Sequence, residues 1–171
     1  FNTRMTQYLR KAVFVFLAAI ASFAVNAQFT KANDDPDADF KLAKELYQKA
    51  QFSLAYPLFK LLYAENRTNS SIPVSIQSES KYYSIICGLA LKDEASEKAA
   101  MEYIELEHNE PRAEMMCYHL GEYYYNQKNF VDAVTYYERA VYDNLNNSEI
   151  AQMKFHQGYA YFTMKRFNDA K

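Results

Sequence analysis

Leu120-Gly121-Glu122-Tyr123-Tyr124-Tyr125-Asn126-Gln127-Lys128-Asn129-Phe130-Val131-Asp132-Ala133-Val134-Thr135-Tyr136-Tyr137-Glu138-Arg139-Ala140 reads as two helices with a break between them. Met116, Leu120, Tyr123, Tyr124 and Gln127 recur at steps of three and four, Asn126 to Asn129 interrupts them, and Phe130, Val134, Tyr137 and Val141 resume. Alone, the pattern describes an ordinary helical hairpin. Gly121 in the first helix and Ala133 in the second add a constraint, because two helices approach closely only where both lack bulk.

The same spacing recurs along the chain. Thirty-four residues earlier, Gly121, Ala133, Tyr137 and Ala140 become Cys87, Ala99, Tyr103 and Leu106. A step of 37 forward aligns Gly121 with Gly158, Tyr124 with Tyr161, Phe130 with Phe167 and Ala133 with Ala170, the extra residues fitting in the polar stretch 144–148. Phe52, Ala55, Phe59 and Leu62 give an earlier, more divergent unit. The expected units are about 40–66, 80–113, 114–147 and a truncated 151–171. Repeating one small-residue contact at a fixed period stacks hairpins instead of closing a bundle.

Leu120-Gly121-x-x-Tyr124 and Ala133-x-x-x-Tyr137-x-x-Ala140, with Pro111 ending the unit before them, resemble the tetratricopeptide repeat family. The family's large aromatic near the start of the first helix is Cys117 here and Tyr83 in the preceding unit. The resemblance covers about residues 40–171 and implies an all-α fold, a right-handed α-solenoid of helix-turn-helix repeats. It also implies that the first helices line a concave groove holding a partner protein or peptide. Carried over by position, that groove presents Lys81, Ser84, Gly88, Leu91 and Lys92, then Tyr118, Glu122, Tyr125 and Asn126, then Phe155, Tyr159 and Phe162. Tyrosine suits such a groove, giving a large rigid contact and one hydrogen bond. The plain alternative is that these aromatics pack between helices, and for Tyr124, Tyr137 and Tyr161 packing is the expectation.

Composition agrees. Three glycines and four prolines in 171 residues cannot supply the turns of an all-β fold, and 16% aromatic content excludes low-complexity disorder. A formal charge of −2 without a basic stripe argues against nucleic-acid binding.

The first 27 residues form a secretory signal in order: Arg10 and Lys11, an apolar run from Ala12 to Val25, then Val25-Asn26-Ala27 as the cleavage site. Phe1 to Arg4 precede Met5, the expected initiator, and need not be translated. The apolar run is shorter than the roughly 20 residues that cross a bilayer, so a permanent anchor is the weaker reading and the mature chain is expected to span no membrane. No cysteine follows the cleavage site to carry a lipid. Residues 28–39 read as an acidic linker that caps the first helix. Signal plus repeats is similar to secreted bacterial-envelope repeat proteins, such as the outer-membrane assembly lipoproteins and the Tol–Pal-associated coordinator. That likeness implies export to the periplasm or outer envelope of a Gram-negative bacterium. The chain halts within the second helix of its fourth unit and is read as the N-terminal piece of a longer protein.

Residues able to carry chemistry are sparse. His108, His119 and His156 lack metal-binding spacing, so no metal or cofactor is expected. Cys87 and Cys117 read as buried free thiols, although export leaves a disulfide open. Glu102, Glu105 and Glu107 beside His108 read as a solvated face. The expected function is a non-enzymatic interaction scaffold. Two alternatives stand beside it: a docking or targeting module for a catalytic domain beyond Lys171, and a stack that associates with itself through the apolar edge of residues 151–164.

Overall fold

The computed structural model describes residues 35–64, 72–107 and 109–170. The expected signal segment with its expected cleavage site, and His108, lie outside the described residues. Seven α-helices and no strand make up the described residues: α1 Pro36–Gln48, α2 Phe52–Tyr63, α3 Val74–Ala90, α4 Glu94–Leu106, α5 Glu110–Asn126, α6 Phe130–Tyr137 and α7 Asn147–Thr163, with a 3-10 turn at Tyr142–Asn144. The fold is all-α. Each helix packs on the next, and α1 touches α3, α3 touches α5, and α5 touches α7. Among the described residues no helix is long and apolar enough to cross a membrane.

One turn, used four times, reverses the chain after α1, α3, α5 and α7. Ala50, Lys92, Lys128 and Lys165 take φ of 54°, 61°, 63° and 62°. Their amides donate to the carbonyls of Tyr47, Leu89, Tyr125 and Phe162, and the following amides donate to Leu46, Gly88, Tyr124 and Tyr161. Carbonyls left open at each helix end are thereby satisfied.

The turns lie 42, 36 and 37 residues apart, which corrects the expected step of 34 between the second and third units. Helix boundaries shift accordingly. The first helix starts at Pro36, inside the expected linker, because proline suits the first helical turn and Asp37 and Asp39 complement the helix N-terminus. Helix α3 starts six residues before the expected 80. Pro111, expected to close a unit, instead sits in the first turn of α5, whose cap is Asn109. Asn146 and Glu149 form a capping box that starts α7 before the expected 151.

Helix pairs close where side chains are smallest. A Cβ on Gly121 would lie 2.6 Å from the Tyr137 ring, and one on Gly88 would lie 1.8 Å from Ser96 Oγ. Gly88 is therefore the α3–α4 contact, not a groove residue as expected. Cys87, assigned that contact by the step of 34, instead packs with Ala43, Ala55 and Phe59. Both cysteines are buried and free, and burial pushes the Cys87 thiol up to about 12.

Tyrosine hydroxyls join one pair to the next. Tyr124 and Tyr123 on α5 donate to Glu97 on α4 at 2.6 and 3.1 Å, and Tyr161 on α7 donates to Glu138 just after α6 at 2.5 Å. Each is a charge-assisted bond from a largely buried ring.

Gly121 and Gly158, equivalent by sequence, differ in space: the Cβ of an alanine at 158 would find only the Ala170 carbonyl oxygen, at 3.7 Å. Gly121→Ala drives into Tyr137, which is buried and bonded to Glu122 and so cannot retreat. It should cost about 1–3 kcal/mol. Gly158→Ala should be neutral or stabilising by up to about 1 kcal/mol through helix propensity. Urea unfolding of both variants checks this, and equal losses would contradict it.

Candidate interaction site

The first helices jointly line a cavity of about 380 Å³. Tyr47 comes from α1, Ile86 and Leu89 from α3, Tyr118 and Glu122 from α5, and Glu149 from α7. Its lining also includes Lys92, His119 and Asn126.

Tyr118 is 5% exposed, and its hydroxyl makes no hydrogen bond among the described residues. Burial raises its pKa, as do the nearby carboxylates of Glu122 and Glu149, so the phenol stays protonated. Glu122 is held from three sides. It accepts from Tyr137 Oη and Gln152 Nε2, each at 2.6 Å, and lies 2.9 Å from His156 Nδ1. Glu149 is engaged by the backbone amide of Asn146. Burial lowers the pKa of His119 to about 4, so its imidazole is neutral near pH 7. The site thus offers aromatic walls, a free phenol and a neutral imidazole to an entering group.

Of the expected groove residues, the structure brings together Lys92, Tyr118, Glu122 and Asn126. Lys81 instead lines a separate cavity of about 660 Å³, with Tyr63, Ser78 and Tyr103. Ser84 is buried and donates to the Lys81 carbonyl within its own helix. Gly88 is occupied by Ser96, as described above. Leu91 is exposed but outside the cavity lining. Tyr125 is half-buried, stacked on His156 with centroids 3.8 Å apart, so its ring is committed between helices. Phe155, Tyr159 and Phe162 are exposed on α7 but do not line the cavity.

The displaced assignments in α3 have one cause. Counting 36 residues back from Glu122, Tyr125 and Asn126, as the turns require, gives Ile86, Leu89 and Ala90, and all three line the cavity. The step of 34 pointed to Gly88, Leu91 and Lys92. Tyr47 was hidden by the longer interval of 42 residues. Glu102 pairs with Lys98 on the surface, and among the described residues no three His, Cys, Asp or Glu side chains group to hold a metal.

No family model, curated protein or solved structure matches the chain.

His119 makes the site pH-sensitive with a defined sign. Its folded pKa, about 4, lies below the unfolded value near 6.5, so the unfolded chain takes up the proton first. Stability is unaffected above pH 6.5 and falls as pH drops from 6.5 toward 4. Urea midpoints of His119→Gln should decline less across that window than those of the wild type, and parallel declines would exclude the effect.

Proposed function

We propose that the chain is a tetratricopeptide-like, right-handed α-solenoid acting as a non-enzymatic interaction scaffold. It holds an extended or helical segment of a partner protein against its first helices. The observation that carries this reading is the cavity built from α1, α3, α5 and α7 together, with Tyr118 in its wall and its hydroxyl not held by another described residue. A segment entering the cavity displaces water from that phenol and must supply a partner in its place. Serial contact of alternate helices, closed by one repeated turn, supports the solenoid arrangement. The signal-like residues 5–27 support a cell-envelope location, in the periplasm or outer envelope.

Recognition by such a surface follows from its parts. The aromatic walls give apolar area with little rotamer entropy to lose, while Tyr118, Asn126 and Lys92 supply orienting polar groups. A partner segment would place an amide or hydroxyl at Tyr118 and its apolar atoms against Ile86 and Leu89.

Peptides selected from a random display library on the wild-type protein test this. Their affinity should fall about 5- to 30-fold in Tyr118→Phe, the equivalent of one hydrogen bond of roughly 1–2 kcal/mol. Thermal melting should be unchanged, since that hydroxyl bonds nothing in the folded chain. Selected peptides indifferent to Tyr118→Phe, Asn126→Ala and Lys92→Ala would refute the site.

A further inference from the structure

Charge in the wall of the cavity shared by α1, α3, α5 and α7 is unbalanced. Glu122 and Glu149 line it, His119 is neutral near pH 7, and Lys92 is the one cation lining it among the described residues. Lys92 is exposed on the turn after α3 and pairs with neither carboxylate.

The two carboxylates differ in what they can still accept. Glu122 is engaged at both oxygens: Oε1 accepts from Tyr137 and faces His156, and Oε2 accepts from Gln152 Nε2. Glu149 is half-buried and uses Oε2 to accept the Asn146 amide, completing the capping box of α7, while its Oε1 accepts nothing from the described residues. Burial is the main cause of the raised pKa values of Tyr47 and Tyr118, and the charge of Glu149 adds to both, which puts that carboxylate within electrostatic reach of the two hydroxyls.

Tyr118 is an independent sign of a ligand in the same place. It is 5% exposed, it lines the cavity, and its hydroxyl is held by no other described residue. A phenol oxygen accepts from an ammonium and keeps its own proton for a backbone carbonyl. Gln152 donates to Glu122 through its amide nitrogen, so its carbonyl oxygen is a further acceptor in the lining. Ile86 and Leu89 give apolar cover for a carbon stem. A volume of about 380 Å³ is at the small end of ligand sites and suits one long side chain. Ammonium groups already lie over tyrosine rings elsewhere in the chain, Lys44 at 3.7 Å from the centre of Tyr83 and Lys154 at 4.9 Å from that of Tyr142.

We propose that the cavity takes the ammonium group of a lysine side chain carried by the partner segment, its stem against Ile86 and Leu89 and its head toward Glu149 and Tyr118. The inference rests on the groove reading above and names the chemistry of the group that enters. Charge complementarity selects a cation over an acidic side chain. Lysine fits better than arginine, because one open carboxylate oxygen and one phenol suit a point charge, whereas a guanidinium fork seeks both oxygens of a carboxylate.

Peptides selected on the wild-type protein by display are the probe. Lysine should recur at one position among them, and its replacement by norleucine, which keeps the stem and removes the charge, should weaken binding about tenfold. Glu149→Gln should weaken the lysine peptide by a similar factor and leave the norleucine peptide unchanged, with circular-dichroism melting near the wild type because glutamine preserves the capping box. Carbodiimide should link Glu149 to the peptide lysine in the complex. Peptides that need Tyr118 yet tolerate norleucine and Glu149→Gln would overturn the lysine assignment and leave the groove standing. Peptides indifferent to Tyr118, Asn126 and Lys92 would remove the groove and this assignment with it. Calorimetry in which n-butylammonium chloride binds as tightly as the peptides would make the occupant a free amine and overturn the proposal. Carbodiimide that links Glu149 of the free chain to a lysine outside the described residues would overturn it as well, placing the chain's own segment in the cavity.

Discussion

Everything in this structure is registered by a single residue in the left-handed conformation after each first helix. A non-glycine residue there costs about 1–2 kcal/mol, and three of the four positions are lysine, none glycine. What offsets the cost is the pair of hydrogen bonds returned to open carbonyls, combined with a reversal that lays the second helix back along the first. Because the reversal geometry is shared, residues counted from it fall on the same face in every pair. That shared count gives meaning to the equivalence of Tyr47, Leu89, Tyr125 and Phe162.

The abundance of tyrosine follows from how the pairs are joined. One cluster of buried side chains runs from α3 through α7, and three smaller ones flank it. Phenols suit the margins of such a core, since the ring contributes buried area while the hydroxyl reaches a carboxylate near the rim. Glu97 receives two of them and Glu138 one, each on the pair preceding the tyrosine. Acidic side chains that a sequence reader assigns to solvent thus become acceptors between pairs.

Helix identity and pairing were legible in the sequence because they depend on periodicity. The pattern from Phe130 places the start of α6, which ends at Tyr137, short of the expected Val141, and the 37-residue step equals the spacing of Lys128 and Lys165. Side-chain direction was less legible. Gly88 and Cys87 are adjacent small residues, and only the 1.8 Å approach of Ser96 shows which of them closes the pair. A register error of two residues turns a helix by more than half a revolution, enough to exchange Ile86 and Leu89 for Gly88 and Leu91. Intervals of 42, 36 and 37 residues leave no fixed period by which the sequence alone would correct the error. Exposure of Phe155, Tyr159 and Phe162 was anticipated, because their apolar spacing falls on one face of α7.

Glu122 links the cavity to the packing of α7. Its carboxylate lines the cavity, yet it also accepts from Tyr137 of α6 and Gln152 of α7 and faces His156, the ring seated on α5. A ligand that satisfies Tyr118 through a neutral donor or acceptor leaves these bonds intact. A cationic ligand competes for the carboxylate, and any share it takes weakens the bonds that orient α7. A cation drawn onto Glu122 would therefore loosen α7 on α5, whereas a neutral ligand would leave that packing unchanged, because it makes no contact that differs between the two arrangements.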